Sequence, residues 1–295
     1  MGLDRRQLLT LLAVGTAASL TACTQRTTTA GSAVPGPLPQ PAPLPGAGRR
    51  LSLPVRQPHE AAPSESSASP TNLESSPAVT TGSAVVVSRL PEAARLADYV
   101  ALTIDDGFDH ETVAAYVQFA TTTGIHLTFN PNGLYGPVWA PHADALRPLV
   151  EAGQVQIGNH TFGHKDVKRL SDSGIEQQLQ DNEDWVQSTF GTTTRPWFRP
   201  PYGFHDERTD SVVAALGWTN VLLWNGSLGD SALLTPWVLM EQARKWLHPG
   251  SIMLGHANHP TVTHVYPQLV ELLTERGLTP KTLTEAFGLA QSSSG

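Results

Sequence analysis

The chain has 295 residues, with 26 acidic against 19 basic side chains, a net charge of −7 and a single cysteine. No Lys/Arg cluster follows the first few residues, which argues against nucleic-acid binding by electrostatics, and one cysteine excludes an intramolecular disulfide. Roughly 200 residues carry enough apolar sequence to fold, sufficient for one sizeable core.

The order of segments begins with Arg5 and Arg6 before an apolar run from about Leu8 to Leu20. That run is too short to span a bilayer comfortably, and its basic-then-apolar order is that of a secretory signal over residues 1–22. Leu20-Thr21-Ala22-Cys23 closes it and resembles a bacterial lipobox, in which Cys23 becomes the lipidated first residue of the mature chain. An ordinary cleavage site with an incidental cysteine is the alternative. The arginine pair also resembles a twin-arginine signal, although Asp4 and Leu8 depart from that pattern. From residue 23 to about Ser88 the composition turns to Pro, Ser, Thr, Ala and Gly, which reads as a disordered tether. Half extended, it would hold a domain over residues 89–295 on the order of 100 Å from a membrane.

Beyond the tether, short apolar runs alternate with helix-like segments. Strands are expected over Tyr99 to Ile104, Ile125 to Phe129, Gln154 to Ile157, Trp197 to Phe198, Thr219 to Leu223 and Ser251 to Leu254. Helices are expected around His110 to Thr122, His142 to Ala152, Gly174 to Phe190, Asp206 to Leu216, Pro236 to Leu247 and Tyr266 to Arg276. Gly124, Gly153, Gly217 and Gly277 each follow a helical pattern where a left-handed cap belongs. Repeated strand-helix units imply a parallel sheet, open or closed into a barrel. Asp105, His160, Arg199, Asp230 and His256 all fall near the C-terminal end of an expected strand. Contributions from five strands favour a ring, because an open sheet gathers its site at one switch point.

Asp105-Asp106 precedes Gly107, and two adjacent carboxylates repel unless a cation or proton separates them. A solvated Asp-Gly turn is the alternative for this segment alone. His160 and His164 lie four apart, on one face if the segment is helical, a spacing that suits a tetrahedral metal; a chance pair among the eleven histidines is the alternative. With Asp106 they would make a three-ligand site with a position open for water. Arg199 enters the stiff loop Pro200-Pro201-Tyr202-Gly203, where a bidentate guanidinium would fix and aim Asp105. That stiffness matters if a backbone N–H of the loop must point at a developing oxyanion; a rigid loop with an exposed arginine is the alternative for this segment alone. His256 ends the last strand, where a histidine suits proton donation or a structural cap.

Together these segments resemble the polysaccharide deacetylases, family four of the carbohydrate esterases, whose catalytic module is the NodB homology domain. Thr103-Ile104-Asp105-Asp106-Gly107 is similar to the family's T-F-D-D-G, and His160-Thr161-Phe162-Gly163-His164 to its H-[ST]-x-x-H. Arg199-Pro200-Pro201-Tyr202-Gly203 resembles the third motif, Leu254-Gly255-His256 the L-x-H, and His126 to Gly133 the second strand and its loop. The fourth motif departs from D-x-x-D-W: Ser227 stands at the earlier Asp, Asp230 is kept, and Ser231 replaces the Trp. Phe108 stands at the commoner Pro.

The resemblance implies an α/β fold, a distorted or incomplete (β/α) barrel. It implies that Asp106, His160 and His164 bind a divalent metal, zinc first with cobalt or nickel possible alternatives, and that Asp105 is the general base. By the same carry-over the Tyr202 backbone N–H receives the oxyanion, Asp230 orients His256, and His256 protonates the departing sugar amine. The expected activity is removal of N-acetyl groups from a cell-wall or surface polysaccharide, peptidoglycan or a chitin-like glycan. An O-deacetylase of an acetylated polysaccharide and a noncatalytic glycan-binding lipoprotein are the other readings. The expected location is the outer face of the cytoplasmic membrane, anchored at Cys23, as a monomer reaching into the wall. Tyr135 to Pro141 and His205 to Thr209 are expected as substrate loops, and Trp139, Trp224 and Trp237 either line a sugar groove or pack in the core.

Overall fold

The computed structural model describes residues 82–289, so the signal, Cys23 and nearly all of the tether lie outside the described residues. The chain runs through β1 (Val85–Val87), α1 (Glu92–Leu96), β2 (Tyr99–Asp106), α2 (His110–Thr123), β3 (Leu127–Pro131), α3 (Gly136–Trp139), α4 (Ala143–Glu151) and β4 (Val155–Ile157). It continues through α5 (Asp172–Phe190), β5 (Trp197–Phe198), α6 (Glu207–Ala215), β6 (Asn220–Leu222) and β7 (Gly226–Ser227). The last elements are α7 (Pro236–Trp246), β8 (Ile252–His256), α8 (Tyr266–Glu275), β9 (Thr279–Pro280) and α9 (Leu283–Ala286).

Local sequence sets the helix boundaries. Asp109 accepts from Thr112 N–H at 2.8 Å at the start of α2, and Asp206 with Thr209 closes a reciprocal capping box on α6. Gly124, Gly153, Gly217 and Gly277 all adopt positive φ where the sequence places left-handed caps.

Every strand pair is parallel. One sheet has the order β4-β3-β2-β8-β7, with β9 on the first half of β2; the other is β1-β6-β5. A single bridge between Asn159 and Phe198 carries β4 across to β5. No pairing joins β7 to β1 among the described residues, so the ring is an incomplete barrel, as expected. The packed layer outside the central strands is built on Val100, Ile104, Leu127, Phe129, Trp139 and Phe190. Phe129 meets Trp139 edge-on at 5.2 Å, and each such buried side chain contributes roughly 2–3 kcal/mol.

β2 lies at the centre, and its register decides what the site contains. Asp105 is level with Asn130 of β3 on one side and with His256 of β8 on the other. Partners in register project to the same face, so three polar side chains stand in a row across three strands.

Each expected strand and long helix is present within a few residues. The additions are the strands β1, β7 and β9 and the short helices α1, α3 and α9, and β1 lies ahead of Ser88, so the folded part already includes residues assigned to the tether. The expected substrate loops also carry structure. Residues 136–139 form α3 with Trp139 fully buried, and Asp206 to Thr209 open α6.

Candidate active site

The ends of β2 and β8 and the loops after β4 and β5 converge on one carboxylate. Asp106 Oδ1 lies 3.4 Å from His160 Nε2 and 3.4 Å from His164 Nε2, and the three ligand-type atoms all lie within 4.8 Å of one another. That oxygen is buried and has no hydrogen-bond partner. An orphaned buried carboxylate oxygen is costly unless something charged completes it. A tetrahedral ion with bonds of about 2 Å holds its ligand atoms about 3.3 Å apart, so the three residues fit a divalent metal.

The histidines are not on a helix. Residues 158–166 form a loop in which Thr161 and His164 take φ of 63° and 50°, and this left-handed backbone swings both rings inward. Asn132 fastens the loop through the His160 and Thr161 carbonyls, at 2.6 and 2.9 Å. The Arg199 carbonyl, 2.7 Å from His160 Nδ1, can only accept, so Nδ1 carries the proton and the Nε2 lone pair faces Asp106. His164 packs edge-on against the Tyr202 ring at 4.6 Å.

Burial alone would raise the Asp106 carboxyl, but the His160 imidazole, the His164 charge and the Asn258 amide hold it well below the usual range. Burial and the neighbouring His160 push His164 down. For His160, burial pushes down and Asp105, Asp106 and the Arg199 carbonyl outweigh it, a net rise.

Asp105, 3% exposed, is held differently. Its Oδ1 accepts from Asn130 Nδ2 at 2.8 Å and from Arg199 Nη1 at 3.0 Å, while Oδ2 faces His160 Nε2 at 3.8 Å. The expected bidentate contact is absent. Arg199 is fully buried and its remaining donors, Nε and Nη2, go to the Leu222 and Leu223 carbonyls at 3.3 Å. A buried guanidinium must satisfy all its N–H groups, and the end of β6 takes two of them.

His256 Nδ1 meets Asp230 Oδ1 at 3.0 Å, and Asp230 Oδ2 accepts the His256 backbone N–H at 3.1 Å. Burial lowers the His256 pKa, but the Asp230 hydrogen bond and the charges of Asp105, Asp230 and Asp106 raise it overall. At the altered fourth motif, Ser227 Oγ accepts from Gly229 N–H at 3.0 Å, a local turn, and Ser231 is exposed. Tyr202 takes φ 60°, and the next two amides are spent on the Pro200 and Pro201 carbonyls.

Asp105, Asp106, His160, His164, Arg199, Tyr202, Asp230 and His256 therefore share one rim. Cys23 lies outside the described residues. Sequence reasoning missed Asn130 and Asn258, and it named Trp139 only as a groove or core residue, the second of which its burial bears out. Trp139 Nε1 donates to the Asp106 carbonyl at 3.0 Å from beneath the site. Its ring fills the space a Cβ on Gly107 would need, 2.3 Å from Nε1. Asn258 Nδ2 donates to Asp106 Oδ2 at 2.8 Å. Trp224 lies 5.6 Å from the Arg199 guanidinium, whereas Trp237 is 66% exposed.

Fold and site define a parallel-stranded α/β barrel whose rim carries an Asp-His-His triad that fits a divalent cation, beside a carboxylate and an Asp-paired histidine. A sequence profile for polysaccharide deacetylase matches residues 93–221. A deacetylase solved with substrate is 30% identical, with 66% of this chain and 94% of that one aligned at a TM-score of 0.57. The chain belongs to the polysaccharide deacetylase family. It is also similar to a chitin deacetylase of Pestalotiopsis sp, 26% identical over 216 residues, which is 71% of this chain and 70% of that protein. A carbohydrate esterase family 4 pseudoenzyme from Bacillus anthracis shares the fold at a TM-score of 0.60 and 22% identity, over 70% of this chain and 69% of that one. A mutant of that pseudoenzyme has restored enzymatic activity.

Proposed function

We propose that the protein is a metal-dependent hydrolase that removes N-acetyl groups from a cell-wall or surface polysaccharide, peptidoglycan or a chitin-like glycan. The observation that carries this reading is the buried, unpartnered Oδ1 of Asp106 between two imidazole nitrogens, with Asp105 and the His256–Asp230 pair beside it. Asp106 Oδ1, His160 Nε2 and His164 Nε2 hold the ion, and zinc suits two imidazoles and one carboxylate. When bound, it supplies Lewis-acid stabilisation and lowers the pKa of water.

The chain's own groups then divide the proton work. Asn130 and Arg199 occupy Asp105 Oδ1, which leaves Oδ2 to take the proton of the attacking water. The Tyr202 backbone N–H donates to the oxyanion as charge develops. His256, with Nδ1 committed to Asp230, gives the proton on Nε2 to the departing sugar amine. Products are acetate and a free amino sugar.

A noncatalytic glycan-binding role is the second reading, favoured by Ser227 and the exposed Ser231 at the fourth motif. An ester substrate is the third. We also place the protein outside the cytoplasmic membrane, anchored through Cys23 with residues 23–88 as the tether to a catalytic domain. The order Arg-Arg, apolar run and Leu-Thr-Ala-Cys supports this. Among the described residues no helix is long and apolar enough to cross a membrane. Cys23→Ser is expected to release the protein into the medium; retention at the membrane would overturn the anchor.

The deciding experiment is acetate release from peptidoglycan, chito-oligosaccharides and O-acetylated polysaccharide by the purified protein, with zinc, with chelator and with Asp105→Asn. Release from N-acetylated glycan that chelator and Asp105→Asn both abolish is expected. Release only from the ester overturns the amide assignment, and no release with stoichiometric zinc bound leaves binding as the function.

A further inference from the structure

Asn258 lies just beyond the end of β8, 7% exposed, and belongs to none of the motifs. Its side chain bridges two parts of the turn that follows β2. Nδ2 donates to Asp106 Oδ2 at 2.8 Å, and Oδ1 accepts the Gly107 N–H at 3.1 Å. The orientation of the amide is not ambiguous. A backbone N–H only donates, so the atom facing Gly107 is the oxygen and the atom facing the carboxylate is the nitrogen.

That turn needs support. Asp106 and Gly107 have φ of 65° and 104°, a reversal that an aspartate adopts at some cost in energy. The Trp139 indole holds the Asp106 carbonyl from one side, and Ala257 N–H reaches the Asp105 carbonyl at 3.0 Å from the other. These contacts fix the backbone but leave the Asp106 carboxylate free to rotate about its own axis. Among the described residues, Asn258 is the one hydrogen-bond donor to this carboxylate, and it takes Oδ2. With Oδ2 occupied by an N–H donor, Oδ1 alone faces His160 and His164. A carboxylate free to rotate would offer both oxygens and take the position a catalytic site keeps open.

We propose that Asn258 is a positioning residue of the cation site, which makes Asp106 a one-oxygen ligand and so preserves an open coordination position, a role that rests on the cation-site reading of Asp106, His160 and His164. It acts through the carboxylate and touches neither ion nor substrate.

The test is made on the purified, metal-stripped protein titrated with zinc and with cobalt, whose visible absorption intensity reports coordination number. Asn258→Ala is expected to weaken zinc binding about ten- to hundredfold. Asn258→Asp keeps an oxygen for the Gly107 N–H but removes the donor to Asp106. Both variants are expected to lose the wild-type cobalt spectrum. If Asn258 only braces the turn, Asn258→Asp keeps the wild-type spectrum, and that result overturns the proposal even if Asn258→Ala fails to fold. Zinc affinity within twofold of wild type and an unchanged spectrum in Asn258→Ala overturns it as well. A wild-type protein that takes up no cobalt would instead sink the cation-site reading, an outcome visible before any variant is compared.

Discussion

Arg199 and His160 are joined through the backbone: the Arg199 carbonyl accepts from His160 Nδ1 at 2.7 Å, while the guanidinium of the same residue reaches Asp105. One residue thus fixes the proposed ligand by its main chain and the proposed base by its side chain. Arg199→Lys separates the two roles, because it keeps the carbonyl and loses the fork. Turnover is expected to fall on the order of 100-fold through misplacement of Asp105, with zinc affinity within a few-fold of wild type. Parallel measurement of kcat and zinc Kd checks this.

Asp230→Asn addresses the acid. The His256 pKa is raised in the folded protein by Asp230 and the other carboxylates against the effect of burial. A general acid works in its protonated form, so activity is lost as pH rises through that raised value. Removing the Asp230 charge lowers the His256 pKa, and the alkaline limb of kcat/KM moves to lower pH. A profile with an unmoved alkaline limb would count against His256 as the acid.

Glu183 tests fold without chemistry. It is fully buried on α5, where its carboxylate accepts from Arg195 Nη1 at 2.7 Å and Thr194 N–H at 2.8 Å, and from the Thr193 and Thr194 hydroxyls. Glu183→Ala strands these donors and is expected to cost about 3 kcal/mol in urea unfolding. Zinc affinity is expected to stay within twofold, since none of these groups touches the triad.

Glu285 gives the fold an acid limit. Burial pushes its carboxyl up, but hydrogen bonds from His126, the Thr282 backbone and Lys281 bring it down to about 2, against an ordinary 4.5. A depressed carboxyl stabilises the fold above its unfolded pKa and loses that contribution as pH falls toward the folded one. Wild type is therefore expected to exceed Glu285→Gln in stability above about pH 5, and the two curves to converge between about pH 4.5 and 2. Thermal unfolding across that range reads the difference.

Strand-helix alternation and the rim position of the polar residues were legible in the sequence because each is a local pattern. β7 and β9 were not, since two residues carry no periodicity, and Val85–Val87 was hidden by the Ser- and Gly-rich context on either side. The His160–His164 spacing pointed to two rings that do lie together, for a reason that does not hold here: left-handed Thr161 and His164, not a helical turn, bring them side by side. Asn130 sits in the His126 to Gly133 segment already singled out, but its contact with Asp105 depends on strand register, which no single segment encodes. Asn258 left no signal, because its partners lie about 150 positions away.

Among the described residues, five that are not glycine have positive φ, and four of them are Asp106, Thr161, His164 and Tyr202. Each holds a conformation that glycine tolerates better, at a cost on the order of 1 kcal/mol. The site is thus assembled against local preference, and the surrounding barrel supplies the energy that keeps it so. Relaxing these positions moves the domain toward greater stability and away from a complete triad. If the proposed chemistry were no longer selected for, relaxing these four positions would lower the strain of the domain while leaving the barrel's pairing in place.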